Sequence, residues 1–277
     1  MKLLVTGGAG YLGAEVCRQA TAAGHEVIAT QLHVPAPYGR AVRLDLRDDD
    51  SVQRALMKHG PELVVHTAYR QAGESLAGDV VRATRNVALA SHRAGARLVH
   101  VSTDLVFDGE EGAPYAEDAE PRPVSAYGQA KLDAERLVRE LHPEALVVRT
   151  SLLYGLPSPG PQERLALLAE TPFHVDEIRS SVHAGELAAA LLELGSRDDA
   201  PRLLHVAGPD AVSRYELARR IRAAHGHDPD AVTGAPTPPH RARNVALDSS
   251  RAATLLTVRL RGVRASLAPA APPPGSR

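Results

Sequence analysis

Lys2-Leu3-Leu4-Val5-Thr6-Gly7-Gly8-Ala9-Gly10-Tyr11-Leu12-Gly13 opens the chain. A short apolar β-type run, Lys2–Thr6, enters a glycine-rich turn, and Gly7-x-x-Gly10-x-x-Gly13 carries the turn into a helix reaching about Ala23. A glycine fingerprint has meaning in that setting, with a strand before it and a helix after it. Gly7 permits a tight turn, Gly10 lets the backbone approach a pyrophosphate, and Gly13 lets the helix pack closely on a sheet. The free N–H groups of the helix start, at Tyr11, Leu12 and Gly13, then face the phosphates of a dinucleotide. The competing reading is a tight βα turn with no ligand.

The pattern repeats downstream. Gly24 stops the first helix, and strands are expected at His25–Thr30, Ala41–Leu44, Leu63–His66, Arg97–Ser102 and Leu146–Thr150. Helices are expected at Ser51–His59, Asp79–Ala94 and Tyr127–Leu141, ended by Gly60-Pro61, by Gly95 and before Pro143. Strands alternating with helices predict an α/β fold: a Rossmann-type doubly wound parallel sheet covered on both faces. After Thr150 the pattern loosens. Leu156–Pro161 reads as a loop, Glu186–Leu194 and Ser213–Ala224 as helices, and Leu203–Val206 as a last sheet strand. Pro236–Pro239 reads as a stiff connector and Asp248–Leu256 as a short helix. The expected division is a dinucleotide-binding domain over 1–155, a small C-terminal substrate-binding region over 156–267, and a disordered Ala/Pro tail over 268–277. One strand and one helix of the second region return to the sheet.

Within the Tyr127–Leu141 helix, Tyr127-Gly128-Gln129-Ala130-Lys131 places a phenol and an amine one turn apart on one face. The chain has only three lysines, Lys2, Lys58 and Lys131, and seven tyrosines. Composition alone predicts roughly 0.08 such pairs, so chance is a weak explanation. An ammonium beside a phenol favours the phenolate, which would let Tyr127 move a proton near neutral pH. The bland alternative is a surface helix with a Tyr–Lys contact. Ser102-Thr103-Asp104 ends the fifth strand, where a hydroxyl points into the crevice that binds ligands in such sheets.

Composition narrows the classes. Of 277 residues, 44% are hydrophobic and 23% charged, and the net charge is −1, so no global field points to nucleic acid or to an anionic membrane. Trp is absent and Phe occurs twice, which leaves no stacking platform for bases. The single cysteine, Cys17, excludes an internal disulfide framework and reads as a buried thiol. No basic-then-apolar leader and no bilayer-length apolar run is seen, and a cytoplasmic location is expected. Thirteen histidines are scattered without metal-ligand spacing, so no metal site is expected.

The Thr6-Gly-x-x-Gly-x-x-Gly opening and Tyr127-x-x-x-Lys131 resemble the extended short-chain dehydrogenase/reductase superfamily. Ser102-Thr103-Asp104-Leu105-Val106-Phe107-Asp108-Gly109 is similar to the dTDP-4-dehydrorhamnose reductase branch of it. Arg149-Thr150-Ser151-Leu152-Leu153-Tyr154-Gly155, His205-Val206-Ala207-Gly208-Pro209 with Ser213–Ala218, and Val245-Ala246-Leu247-Asp248-Ser249 agree, so the likeness extends to about residue 250. It implies a triad of Thr103, Tyr127 and Lys131, with Ser102 the alternative hydroxyl. It adds Asp45, Leu46 and Ala68 to the dinucleotide-binding residues, although Asp45 reads equally well as a turn or cap. The chain departs from the branch at Leu105, where Tyr is usual, at His66-Thr67-Ala68-Tyr69-Arg70, and over Asp176–His183.

The implied activity is NAD(P)H-dependent reduction of a carbonyl substrate, a nucleotide-linked 4-keto sugar, with Lys131 holding the nicotinamide ribose and lowering the Tyr127 pKa. The alternatives are a nucleotide-sugar epimerase or dehydratase with tightly bound NAD, and a non-catalytic nucleotide-binding regulatory subunit. No carboxylate stands at Gln31-Leu32-His33 to repel a 2′-phosphate, and Arg40 and Arg43 follow, so the reading leans to NADP over NAD. A homodimer is the default assembly.

Overall fold

The computed structural model describes residues 1–69, 76–110 and 114–268. Seven parallel strands form the main sheet: β1 (Lys2–Thr6), β2 (Glu26–Gln31), β3 (Arg40–Arg43), β4 (Leu63–His66), β5 (Arg97–Thr103), β6 (Leu146–Thr150) and β7 (Leu203–His205). Their order is β7-β6-β5-β4-β1-β2-β3, so the winding direction reverses between β1 and β4. This is the doubly wound α/β architecture the alternating pattern predicts, and its switch point is where such sheets bind ligands.

The central strands are buried on both faces, which is why their sequences are continuously apolar rather than alternating. Leu3 and Val5 point to one face with Val65 and Val99, and there meet helices α1 (Tyr11–Ala22) and α6 (Ala184–Ser196). Leu4 points to the other face with Val64, Leu98 and Val147. Helices α2 (Asp49–His59), α3 (Leu76–Arg93) and α4 (Ala126–Leu141) cover that side. Cys17 is buried in the first of these layers, and burial pushes its thiol pKa up to about 12.

The C-terminal residues build a smaller core around Tyr154, Phe173, Leu217 and Ile221. Helices α5 (Pro161–Leu168) and α7 (Arg214–Ala224) pack together there. Three two-residue strand pairs stitch the region: Leu153–Tyr154 with Val182–His183, Phe173–His174 with Gly234–Ala235, and Ile178–Arg179 with Val212–Ser213. These pairs and α5 were not expected from the sequence. Two-residue strands carry no readable period, and α5 is short, with Pro161 at its start and an apolar pattern of less than three turns. Helices α8 (Ser250–Leu255) and α9 (Val263–Ser266) follow. The expected disordered tail lies, from residue 269 on, outside the described residues.

The glycine turn is a close junction between β1 and α1. Gly7 has φ +70°, which disfavours any side chain. A Cβ on Gly13 would stand 2.2 Å from the Gly7 carbonyl oxygen and 2.7 Å from Thr67 Oγ1, so α1 docks on β1 only because that Cβ is missing. At Gly10 the nearest atom to an added Cβ would be the Gly7 carbonyl oxygen at 3.2 Å. Gly13→Ala is therefore expected to lower stability by about 1–3 kcal/mol in a urea titration, and Gly10→Ala by well under that. Equal losses would mean that close packing does not distinguish the two glycines.

Candidate functional site

A cleft of about 390 Å³ opens at the carboxyl ends of β1, β2 and β4. Gly7 and Gly10 form one wall, Gln31-Leu32-His33 and Asp45-Leu46-Arg47 the next, and Thr67-Ala68-Tyr69 the third. Its length from the glycine turn to the tip of β2 fits the adenosine and pyrophosphate parts of a dinucleotide. Gly10, with φ −77°, is the N-cap of α1, so the orphan N–H groups of that helix's first turn sit at the cleft's end.

Several expected contacts lie here. Gly7, Gly10, Asp45, Leu46 and Ala68 all line the cleft. Asp45 is also the turn residue its alternative reading required: Oδ1 accepts from the Arg47 backbone N–H at 3.0 Å. The Arg47 guanidinium bonds both carboxylate oxygens and holds the Asp45 pKa down at about 2. Leu12 and Gly13 are buried against the sheet, leaving only their backbone to face a ligand. Tyr11 turns away: its hydroxyl donates to Glu163 at 3.3 Å and accepts from the Leu156 N–H at 3.1 Å, fastening the 155–160 loop over the glycine turn. Arg40 and Arg43 do not line the cleft; they lie on the edge strand β3. His33, already placed at the tip of β2 by the sequence, and Arg47, which the sequence reading missed, stand there instead. Arg47 follows Asp45-Leu46 directly, and that adjacency was the available signal.

The second half of the site gathers at the end of β5. Ser125 caps α4, accepting from the Gly128 N–H at 3.0 Å, so Tyr127 and Lys131 occupy its first two turns. A Cβ on Gly128 would lie 2.1 Å from the Leu105 carbonyl oxygen. That contact seats the start of α4 directly on the turn after Thr103. Thr103 accepts from the Leu105 N–H at 3.2 Å and donates to Asp104 Oδ1 at 3.1 Å. Ser102, the alternative hydroxyl, is instead buried and donates to Glu135 at 2.5 Å. The Tyr127 ring lies 6.2 Å from that of Tyr69, which lines the cleft. The neighbouring Arg70 lies outside the described residues.

Two buried ionic clusters frame this corner. Glu135 receives a two-pronged bond from Arg149, at 2.8 Å to Oε2 and 3.0 Å to Oε1, with both side chains essentially inaccessible. Asp104 accepts from Arg179 at 2.7 Å and from Ser151 at 2.6 Å. Arg179 continues to Glu177, which also takes Arg241 and His174. Burial alone would raise the Glu177 pKa, but these cations hold it well below the carboxylate range.

Lys131 departs from expectation. Its Nζ donates to the Val101 carbonyl at 2.7 Å and lies 3.4 Å from His100 Nε2. Burial lowers its pKa to about 8. The Tyr127 phenol is accordingly not pulled down. Burial, then the nearby Tyr69 and the Asp104 carboxylate, push it above its ordinary value. A phenolate is disfavoured in these surroundings, because burial, Tyr69 and the Asp104 carboxylate all favour the neutral phenol.

Behind Lys131, His66 and His100 stack at 5.2 Å. Burial and Lys131 lower the His66 pKa to about 3, and His100 is held well below its usual range for the same reasons. Burial likewise lowers His205 to about 4. A histidine whose folded pKa lies below its unfolded value binds its proton only on unfolding, so its stabilisation is complete above pH 6.5 and is lost as pH falls toward the folded value. The urea midpoint is expected to decline steadily from about pH 7 to pH 5, at about 1.4 kcal/mol per pH unit for each such histidine. A midpoint unchanged over that interval would mean that these rings are not buried neutral.

The family description "RmlD substrate binding domain" matches residues 1–272. The spore coat polysaccharide biosynthesis protein SpsK of Bacillus subtilis is 33% identical over 81% of this chain and 80% of its own length. The dTDP-4-dehydrorhamnose reductase of Mycobacterium tuberculosis is 31% identical over 99% of this chain and 94% of its own. Among solved structures, a hypothetical dTDP-4-dehydrorhamnose reductase from Sulfolobus tokodaii superposes with a TM-score of 0.82 at 28% identity, covering 94% of this chain and 97% of that one. The chain belongs to the RmlD substrate-binding-domain family.

Proposed function

We propose that this chain is an NAD(P)H-dependent oxidoreductase that reduces the carbonyl of a nucleotide-linked 4-keto sugar. The observation that carries this reading is the juxtaposition at the end of β5: Thr103, Tyr127 and Lys131 gather beside a cleft walled by the glycine turn. The reductase relative, similar over nearly the whole of both chains, supports the reaction class and the substrate class. Residues 1–155 take the dinucleotide and residues 156–267 shape the sugar end. Gly7, Gly10, Gly13, Tyr11 and Leu12 approach the pyrophosphate, while Asp45, Leu46 and Ala68 flank the adenosine.

When bound, the dinucleotide supplies a hydride. The chain's own residues do the rest. Thr103 and Tyr127 hold the carbonyl oxygen, and Tyr127, kept protonated by its buried surroundings, delivers its phenolic proton to that oxygen. A raised phenol pKa suits the direction of reduction, because the group must arrive carrying its proton. Lys131 stands behind as the cation that stabilises the phenolate left after transfer. Gln31, Leu32 and His33 present no carboxylate at the tip of β2, which supports NADP over NAD.

Tyr127→Phe is expected to lower kcat by about 10²–10⁴-fold with a nucleotide-linked 4-keto sugar. It should leave the dissociation constant for NADPH within about threefold, read by nucleotide fluorescence. Turnover at the wild-type rate in that variant would remove Tyr127 from the reaction.

A further inference from the structure

His100 sits beneath the proposed site and has no part in the reaction as described. It is fully buried on β5, between His66 on β4 and Lys131 on α4. Thr6 fixes the state of the first of these rings. The Thr6 hydroxyl accepts from the Ala68 N–H at 3.2 Å, and the acceptor in reach of its own proton among the described residues is His66 Nδ1 at 2.6 Å. His66 Nε2 then carries the ring proton and donates to Thr84 at 3.1 Å. His66 is thus satisfied at both nitrogens and has nothing to offer Lys131.

His100 is arranged differently. Its Nε2 lies 3.4 Å from Lys131 Nζ, and its Nδ1 is buried with no hydrogen-bond partner among the described residues. Lys131 as an ammonium has only donors. For His100 Nε2 to accept from it, the ring proton must sit on the unpartnered Nδ1. A buried N–H without an acceptor is costly, and the contact between Nε2 and the ammonium is what offsets that cost. Among the charged groups around Lys131, Glu135 favours its ammonium by charge alone, and the others are engaged elsewhere or exposed. Glu135, one turn along α4, is taken by Arg149 and Ser102. On α3, Asp79 pairs with Arg47, while Arg82 and Arg85 face solvent. Tyr127 and Tyr69 are phenols kept protonated by burial.

We infer that His100 is a positioning residue of this site, a neutral acceptor that together with the Val101 carbonyl holds the Lys131 ammonium in place and keeps it charged. The role presupposes the reductase reading, but the contact itself does not. Two of the three N–H bonds of the ammonium are then fixed by β5, and the third is left for the site. An acceptor binds the ammonium more strongly than the neutral amine, so losing it is expected to lower the Lys131 pKa.

Three lysines make the test direct. In the full-length protein labelled with isotopic lysine, only three side-chain signals arise, and burial places the Lys131 titration at about 8. His100→Phe is expected to move the Lys131 titration down by about one unit, and His100→Gln, whose amide oxygen can accept, to return most of the shift. The alkaline limb of the reductase rate is expected to move with it. In the unmutated protein, histidine-labelled spectra are expected to report His100 as the Nδ1–H tautomer, a readout that needs no variant to fold. An Nε2–H tautomer would overturn the inference, as would a Lys131 titration identical in wild type and His100→Phe. Absence of reductase turnover in the wild type would sink the functional reading and leave the titration result standing.

Discussion

The buried Glu135–Arg149 ion pair is the constraint on which the site's geometry depends. Glu135 lies one turn beyond Lys131 on α4, and Arg149 lies on β6, so the pair sets the register of the helix against the sheet. Ser102 joins it from β5, one residue before Thr103. A single carboxylate therefore ties together the elements that carry all three candidate residues. Burying such a pair is expensive, and breaking it by removing one partner typically costs about 3–5 kcal/mol. Alternative registers of α4 would strand one charge in the core, so the pair excludes them.

The second cluster does the same between the sheet and the C-terminal region. Asp104, next to Thr103, reaches Arg179, and Arg179 reaches Glu177 with its further cations. Residues 176–183, where the sequence departs from its branch, are thereby fixed to the end of β5. Burial raises the Tyr127 pKa, and Tyr69 and the Asp104 carboxylate add to it. The second cluster thus bears on the site electrostatically as well as mechanically.

The sheet was legible because parallel strands between two helical layers are apolar on both faces, and Gly24, Gly60 and Gly95 mark where helices stop. The boundaries moved by one to three residues, as at Glu26–Gln31, Asp49–His59 and Leu76–Arg93. The C-terminal region was harder, since its strand pairs are two residues long and are set by tertiary contacts. At the site, the glycines and the Tyr127–Lys131 pair stood out by their spacing, and Thr103 by the family resemblance, but the partners of those residues left no such mark. Spacing placed Lys131 beside Tyr127; only the fold shows its amine turned to Val101 and His100. Tyr11 read as a dinucleotide contact, yet its hydroxyl is committed to Glu163 and Leu156, far along the chain. Long-range partners of that kind leave no local mark in the sequence.

The central claim is net reduction: one equivalent of reduced dinucleotide consumed for each carbonyl converted, with the proton delivered from the corner of the sheet that these charges build. Its most direct test is the stoichiometry of the reaction with a dTDP-linked 4-keto-6-deoxy sugar, following NADPH and NADH loss by absorbance and the sugar by chromatography. The account predicts equimolar loss of the dinucleotide and appearance of the 4-hydroxy product, faster with NADPH. Conversion of a nucleotide sugar without net loss of either dinucleotide, with the cofactor retained on the protein, would contradict it.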